Sequence, residues 1–186
     1  MKKINVKKIV LLSILMALTT VFKFVSIGSG EFRISIFEIP IILAGMISGP
    51  LMGAVVAFGG DLIYGLISGY SYSFIMSLSA MLWGVMGGLF YKKQVRILPL
   101  IIMIIITSLL TTFNNSIQQY IWYKQGMWGR LPIRLVVMVI KMFILPIIIY
   151  ILSKRVFKEY INIPSSKKEN KLLKYRKIKR RKRHIV

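Results

Sequence analysis

The chain has 186 residues, 56% of them hydrophobic and only 17% charged, a formal net charge of +22, and no cysteine; its mean hydropathy is +0.69. A soluble chain carries about a quarter charged residues, so this composition excludes an ordinary water-soluble domain, and the lack of cysteine excludes disulfides and thiolate metal sites. The single histidine, His184, lies near the C-terminus, which leaves no histidine metal site in the apolar region.

From Ile9 to Leu152 one apolar run follows another, broken by short Gly, Pro or charged stretches. A helix needs about 20 apolar residues to cross the hydrocarbon, and lipid satisfies no backbone polar group, so helices or a closed barrel are the options. The runs lack a period of two, which selects helices. The first helix is expected over residues 7–26. It has a basic start like a secretion signal, but no small-residue cleavage pattern follows, so a retained helix is expected. The second is expected over 33–48, ended by Gly49-Pro50, and the third over 51–68, followed by a loop at 69–72. The fourth covers 73–91, followed by the charged loop 92–96. The fifth covers 97 to about 122, a loop follows at 124–132, and the sixth covers 133–154. The expected fold is an all-α integral membrane protein. It has a compact bundle of six transmembrane helices over 1–154 and a basic, poorly ordered tail over 155–186.

Lysine and arginine counts give an orientation. With the N-terminus inside, the inner side holds Lys2, Lys3, Lys7 and Lys8, three residues of the 92–96 loop, and fourteen from Lys154 to Arg183. An even number of spans puts both basic termini in the cytoplasm, and a multi-pass protein of a bacterial plasma membrane is expected. The tail segment 167–183, KKENKLLKYRKIKRRKR, lacks the interleaved aromatics of a base-stacking surface. It is expected to bind anionic lipid, at about 1 kcal/mol per basic residue near the surface, and not nucleic acid.

The remaining basic residues are Lys23, Arg33, Lys124, Arg130, Arg134 and Lys141. Charges at membrane depth are costly and face a cavity or a partner. Arg33 opens the second helix, and Arg130 and Arg134 open the sixth. Lys141, seven residues beyond Arg134, shares its helical face. Together they suggest a positive, outward-opening pocket for an anion; the plain alternative is snorkelling of these side chains to the interface. Glu38 is expected to pair with Arg33 or Lys141, and Asp61, after Gly59-Gly60, to face a polar interior. No nucleophile elbow, paired catalytic carboxylates or G-x-x-x-x-G-K-[ST] loop is present, so no enzyme and no resident cofactor is expected.

Tyr70, Tyr72 and Phe74 flank the loop before the fourth helix. Asn114, Asn115, Gln118, Gln119, Tyr120, Trp122, Tyr123 and Trp128 gather around the end of the fifth. Part of this is the ordinary interfacial belt. Four amides within six residues point further, because an unpaired amide in lipid is costly. Amides, aromatics and arginines suit a planar heteroaromatic ligand bearing carboxylates. Small residues four apart recur at Ser13 and Ala17, Gly45 and Gly49, Gly53 and Ala57, and Gly84 and Gly88. Such pairs let helices approach closely, within the bundle or, for the first helix, against another membrane subunit.

Residues 33–53, RISIFEIPIILAGMISGPLMG, resemble the second helix and following turn of the substrate-binding S components of energy-coupling factor (ECF) vitamin transporters. The shared pattern is acid-Ile-Pro, then Ala-Gly, then Gly-Pro-x-x-Gly. GGDLIYGL (59–66), SYSFIMSLSAMLWGVMGGLFY (71–91), and GRLPIRL (129–135) with Lys141 and Leu145-Pro146 resemble the folate-specific branch. The tail is longer and more basic than in that branch, and the fifth helix is richer in amides. The resemblance implies a subunit that captures folate outside the cell. It implies partners, a transmembrane coupling protein and two ATPases, which drive release inside. It also implies that the small-residue stripe of the first helix, here Ser13 and Ala17, docks on the coupling protein. The residues expected to hold substrate are Arg33, Phe74, Asn115, Gln118, Trp122, Arg130, Arg134 and Lys141. Another vitamin, such as riboflavin or pantothenate, and a membrane scaffold remain as alternatives. Folate, a dianion, suits Arg33 with Arg134, whereas riboflavin is neutral.

Overall fold

The computed structural model describes residues 6–26, 35–69, 73–91, 93–123 and 127–155, without the side chains at 119, 122, 123, 127–131, 133 and 134. Six helices form among these residues: α1 (Val6–Phe24), α2 (Glu38–Ser48), α3 (Pro50–Ile67), α4 (Phe74–Gly88), α5 (Ile97–Tyr123) and α6 (Met127–Arg155). Arg33 and the residues from 156 onward, including the segment expected to bind lipid, lie outside the described residues.

Proline sets several helix boundaries. The apolar pattern suggested a start at Arg33 for α2, but Ser35 and Ile36 are non-helical and the helix begins at Glu38. Pro40 supplies the reason. A proline ring lacks an N–H and clashes with the carbonyl four residues back, so it fits the first turn of a helix and not its interior. A helix running through from Arg33 would press that ring against the Ile36 carbonyl. Gly49 then closes α2 at φ 99°, in the left-handed region that favours glycine, and Pro50 opens α3. In α6 the expectation fails the other way. The helix begins at Met127 rather than Ile133, with Pro132 and Pro146 inside it. Membrane helices tolerate such prolines because neighbouring groups satisfy the freed carbonyls.

A helix that is apolar all round belongs in the centre of a bundle, and α2 occupies that place. Ten of its eleven residues, Glu38 to Ile47, are buried, and it contacts α1, α3, α4 and α6. Glycines bring α2, α3 and α4 to backbone contact. A Cβ at Gly84 would collide with the Gly53 backbone, one at Gly45 with the Gly84 carbonyl, and one at Gly88 with the Pro50 backbone. The small-residue pairs of α2, α3 and α4 thus serve packing within the bundle. Ser13 and Ala17 differ: both are exposed, on a face of α1 that also shows Val10, Ile14 and Val21.

The outside of the bundle is apolar. Leu98, Ile102, Leu109 and Phe113 of α5 and Val136, Phe143 and Ile147 of α6 are all exposed. Soluble monomers rarely show contiguous apolar patches above a few hundred Å², and a lipid surround removes the penalty. By length and composition, the segments Pro50–Ile67, Ile97–Gln118 and Leu135–Arg155 are able to cross a membrane. Helices α2 and α4 are apolar but shorter, at 11 and 15 residues. The described residues hold the expected number of helices, and three of these are both long and apolar enough to span.

Candidate functional site

Two lysines reach into the bundle, and each meets an acid. Lys141 Nζ, on α6, donates to Glu38 Oε1 at 2.5 Å, joining α6 to the start of α2. Lys23 Nζ, at the end of α1, donates to Asp61 Oδ1 on α3. Ser77 Oγ, near the start of α4, donates to Asp61 Oδ2 at 2.5 Å. Phe37, in the turn before α2, lies between the two pairs. Its ring centroid is 4.5 Å from Lys23 Nζ and 5.7 Å from Lys141 Nζ, within cation–π reach of both. The Thr20 hydroxyl adds a bond to the Gly60 carbonyl, 3.2 Å, between α1 and α3. Unpaired charge is expensive at membrane depth, and the two acids offset the two lysines. Lys141 was one of the two partners expected for Glu38. The Lys23–Asp61 pair was not foreseen, although an acid in the middle of an apolar helix demands a cation from some neighbour.

The amides of α5 meet α4 at the same end of the bundle. Asn114 Nδ2 donates to the Ile75 carbonyl at 2.9 Å and to Ser79 Oγ at 2.7 Å. The Ser79 hydroxyl in turn donates to Asn115 Oδ1 at 2.8 Å. Gln118, one turn on, is 1% exposed, and its Oε1 is buried without a hydrogen-bond partner. These links gather the later parts of α1, α3 and α5, the starts of α2 and α4, and the middle of α6 into one polar end. Beyond it the core is apolar, built on Ile41, Ile42, Met46, Leu100, Ile104 and Leu145.

Of the residues expected to bind substrate, Asn115, Gln118 and Lys141 lie in this polar end. Phe74, at the first position of α4, is 63% exposed and outside the buried cluster. Trp122 lies on α5, and Arg130 and Arg134 on α6, with their side chains outside the described residues. Sequence reasoning missed Lys23, Phe37 and Ser77 as members of the cluster. No group of three or more metal-ligating side chains occurs among the described residues.

A family model described as "ECF-type riboflavin transporter, S component" matches residues 3–160. The chain belongs to this family. The S component is the substrate-binding part of a membrane transporter and not an enzyme. A solved structure, FolT bound with folic acid, is similar to the chain at 28% identity and a TM-score of 0.70. The match covers 82% of this chain and 98% of that one. No curated protein sequence matches the chain.

Proposed function

We propose that this S component captures folate from outside a bacterial cell and passes it inward in complex with an ECF coupling protein and two ATPases. The likeness to FolT bound with folic acid, over 98% of that chain, carries the reading. The chemistry of the polar end supports it. Lys23 and Lys141 are already matched by Asp61 and Glu38, so an added dianion would draw on the remaining basic residues proposed for substrate, Arg33, Arg130 and Arg134. Asn115, Gln118, Phe74 and Trp122 offer the amide and aromatic surface a pterin needs. Riboflavin is the second reading, favoured by the description of the matched family.

The proposed topology puts the polar end outside and both termini in the cytoplasm, following the lysine and arginine bias. The six-helix bundle over 1–154 then carries the vitamin, and the tail over 155–186 lies along anionic lipid. Ser13 and Ala17 on the exposed face of α1 form the surface for the coupling protein. Mass spectrometry of small molecules that co-purify with the detergent-solubilised protein tests the ligand: a folate is expected, and a flavin in its place moves the assignment to the second reading.

Replacing Arg33 or Arg134 with alanine should weaken folate binding. A hydrogen bond to a charged group contributes roughly 1.5–3 kcal/mol, so the loss should be about tenfold to a hundredfold in Kd. Wild-type affinity in both variants would leave these arginines as interfacial snorkels.

A further inference from the structure

We infer that Glu38 reads the N–H edge of the ligand's heterocycle and thereby favours a pterin over a flavin. The inference deepens the folate reading and rests on it. Glu38 is the first residue of α2, and its side chain is 4% exposed. One carboxylate oxygen, Oε1, is held by Lys141. The other, Oε2, is buried with no hydrogen-bond partner. An unsatisfied buried oxygen of a charged group is among the costlier features a fold can retain. This open acceptor calls for a ligand that brings donors.

The pyrimidine edge of a pterin presents an exocyclic 2-amino group beside the ring N3–H, two donors in a row. The matching edge of a flavin presents one N–H between two carbonyls. A carboxylate oxygen attracts the first edge, whereas the carbonyls of the second face it with like partial charge. Discrimination by such an unfavourable contact is an established route to specificity. Lys141 fixes the carboxylate through Oε1, which leaves Oε2 as the oxygen that contacts the ligand.

Calorimetry of the full chain in detergent tests this with folic acid and an analogue whose 2-amino group is replaced by methyl, on the wild type and on Glu38→Gln. In the wild type, removing the amino group should weaken binding roughly tenfold to a hundredfold. In Glu38→Gln the two ligands should differ by less than about threefold, because the cycle isolates the contact between residue and amino group. Because that variant leaves Lys141 without its partner, Glu38→Gln combined with Lys141→Met carries the measurement if the single variant does not fold. An equal loss in wild type and variant overturns the inference, as does a wild type that binds both ligands alike, a result that needs no variant. A wild type that ignores folic acid and saturates with riboflavin overturns the folate reading itself, and the inference with it.

Discussion

Replacing Asp61 with alanine should destabilise the protein by about 3–5 kcal/mol, the usual cost of removing one partner from a buried ion pair. The carboxylate accepts from Lys23 on α1 and from Ser77 on α4. The side chains of Lys23 and Asp61 are only 12% and 10% exposed, so water does little to replace the lost charge. The substitution would leave the Lys23 ammonium with ring faces, Phe37 at 4.5 Å and Tyr64 at 5.8 Å, and with only the Glu38 carboxylate, already bonded to Lys141, to offset its charge. Three helices would lose their shared tie. For a chain of this length the midpoint of thermal unfolding in detergent should fall by roughly 6–20 °C. Combining Lys23→Met with Asp61→Asn should recover most of the loss. That pair removes the charge on both sides while keeping an acceptor for Ser77, and exchanging a buried ion pair for uncharged groups is often neutral. An Asp61→Ala protein that melts like the wild type would mean the pair is effectively hydrated.

The second large effect concerns transport. Ala17→Trp should retain ligand binding in the isolated protein and abolish uptake in cells that supply the coupling protein and ATPases. The sequence carries no G-x-x-x-x-G-K-[ST] loop, and on the proposed function uptake draws on partner ATPases. On the proposed docking, the small stripe of Ser13 and Ala17 would let a partner helix approach closely, and close packing is what drives helix association in lipid. Both residues are exposed, so a bulky side chain at 17 is directed away from the buried core of the bundle. It also lies more than a turn from Lys23, where α1 joins the polar end. Binding and uptake measured on the same variant separate the outcomes. Loss of both would mean that residue 17 supports the fold, and wild-type uptake would remove this face of α1 from the docking surface.

Much of this fold is legible in the sequence because apolar runs and their breakers are local signals. The Gly49-Pro50 break needs no tertiary information, since a positive φ and a ring that starts a helix are properties of those two residues. The boundaries that were misjudged are those where the apolar pattern continues through a proline. At Pro40 the ring displaced the start of α2 by five residues from Arg33 to Glu38, and at Pro132 the helix ran on through it. Glu38 with Lys141 was one of two pairings the residues allowed. Lys23 with Asp61 was out of reach, because periodicity along a helix does not say which other helix it packs against. The small-residue pairs show the same limit. Their spacing marks close approach, but only the packing shows that Gly45, Gly53, Gly84 and Gly88 meet inside the bundle while Ser13 and Ala17 face outward.

The identity of the vitamin is the central claim, because the family description names riboflavin and the solved relative holds folic acid. Calorimetric titration of the purified protein with folic acid, repeated with excess riboflavin present, tests it most directly. The folate assignment predicts a saturable heat with folic acid that riboflavin leaves unchanged. No heat with folic acid, together with saturation by riboflavin alone, would contradict it.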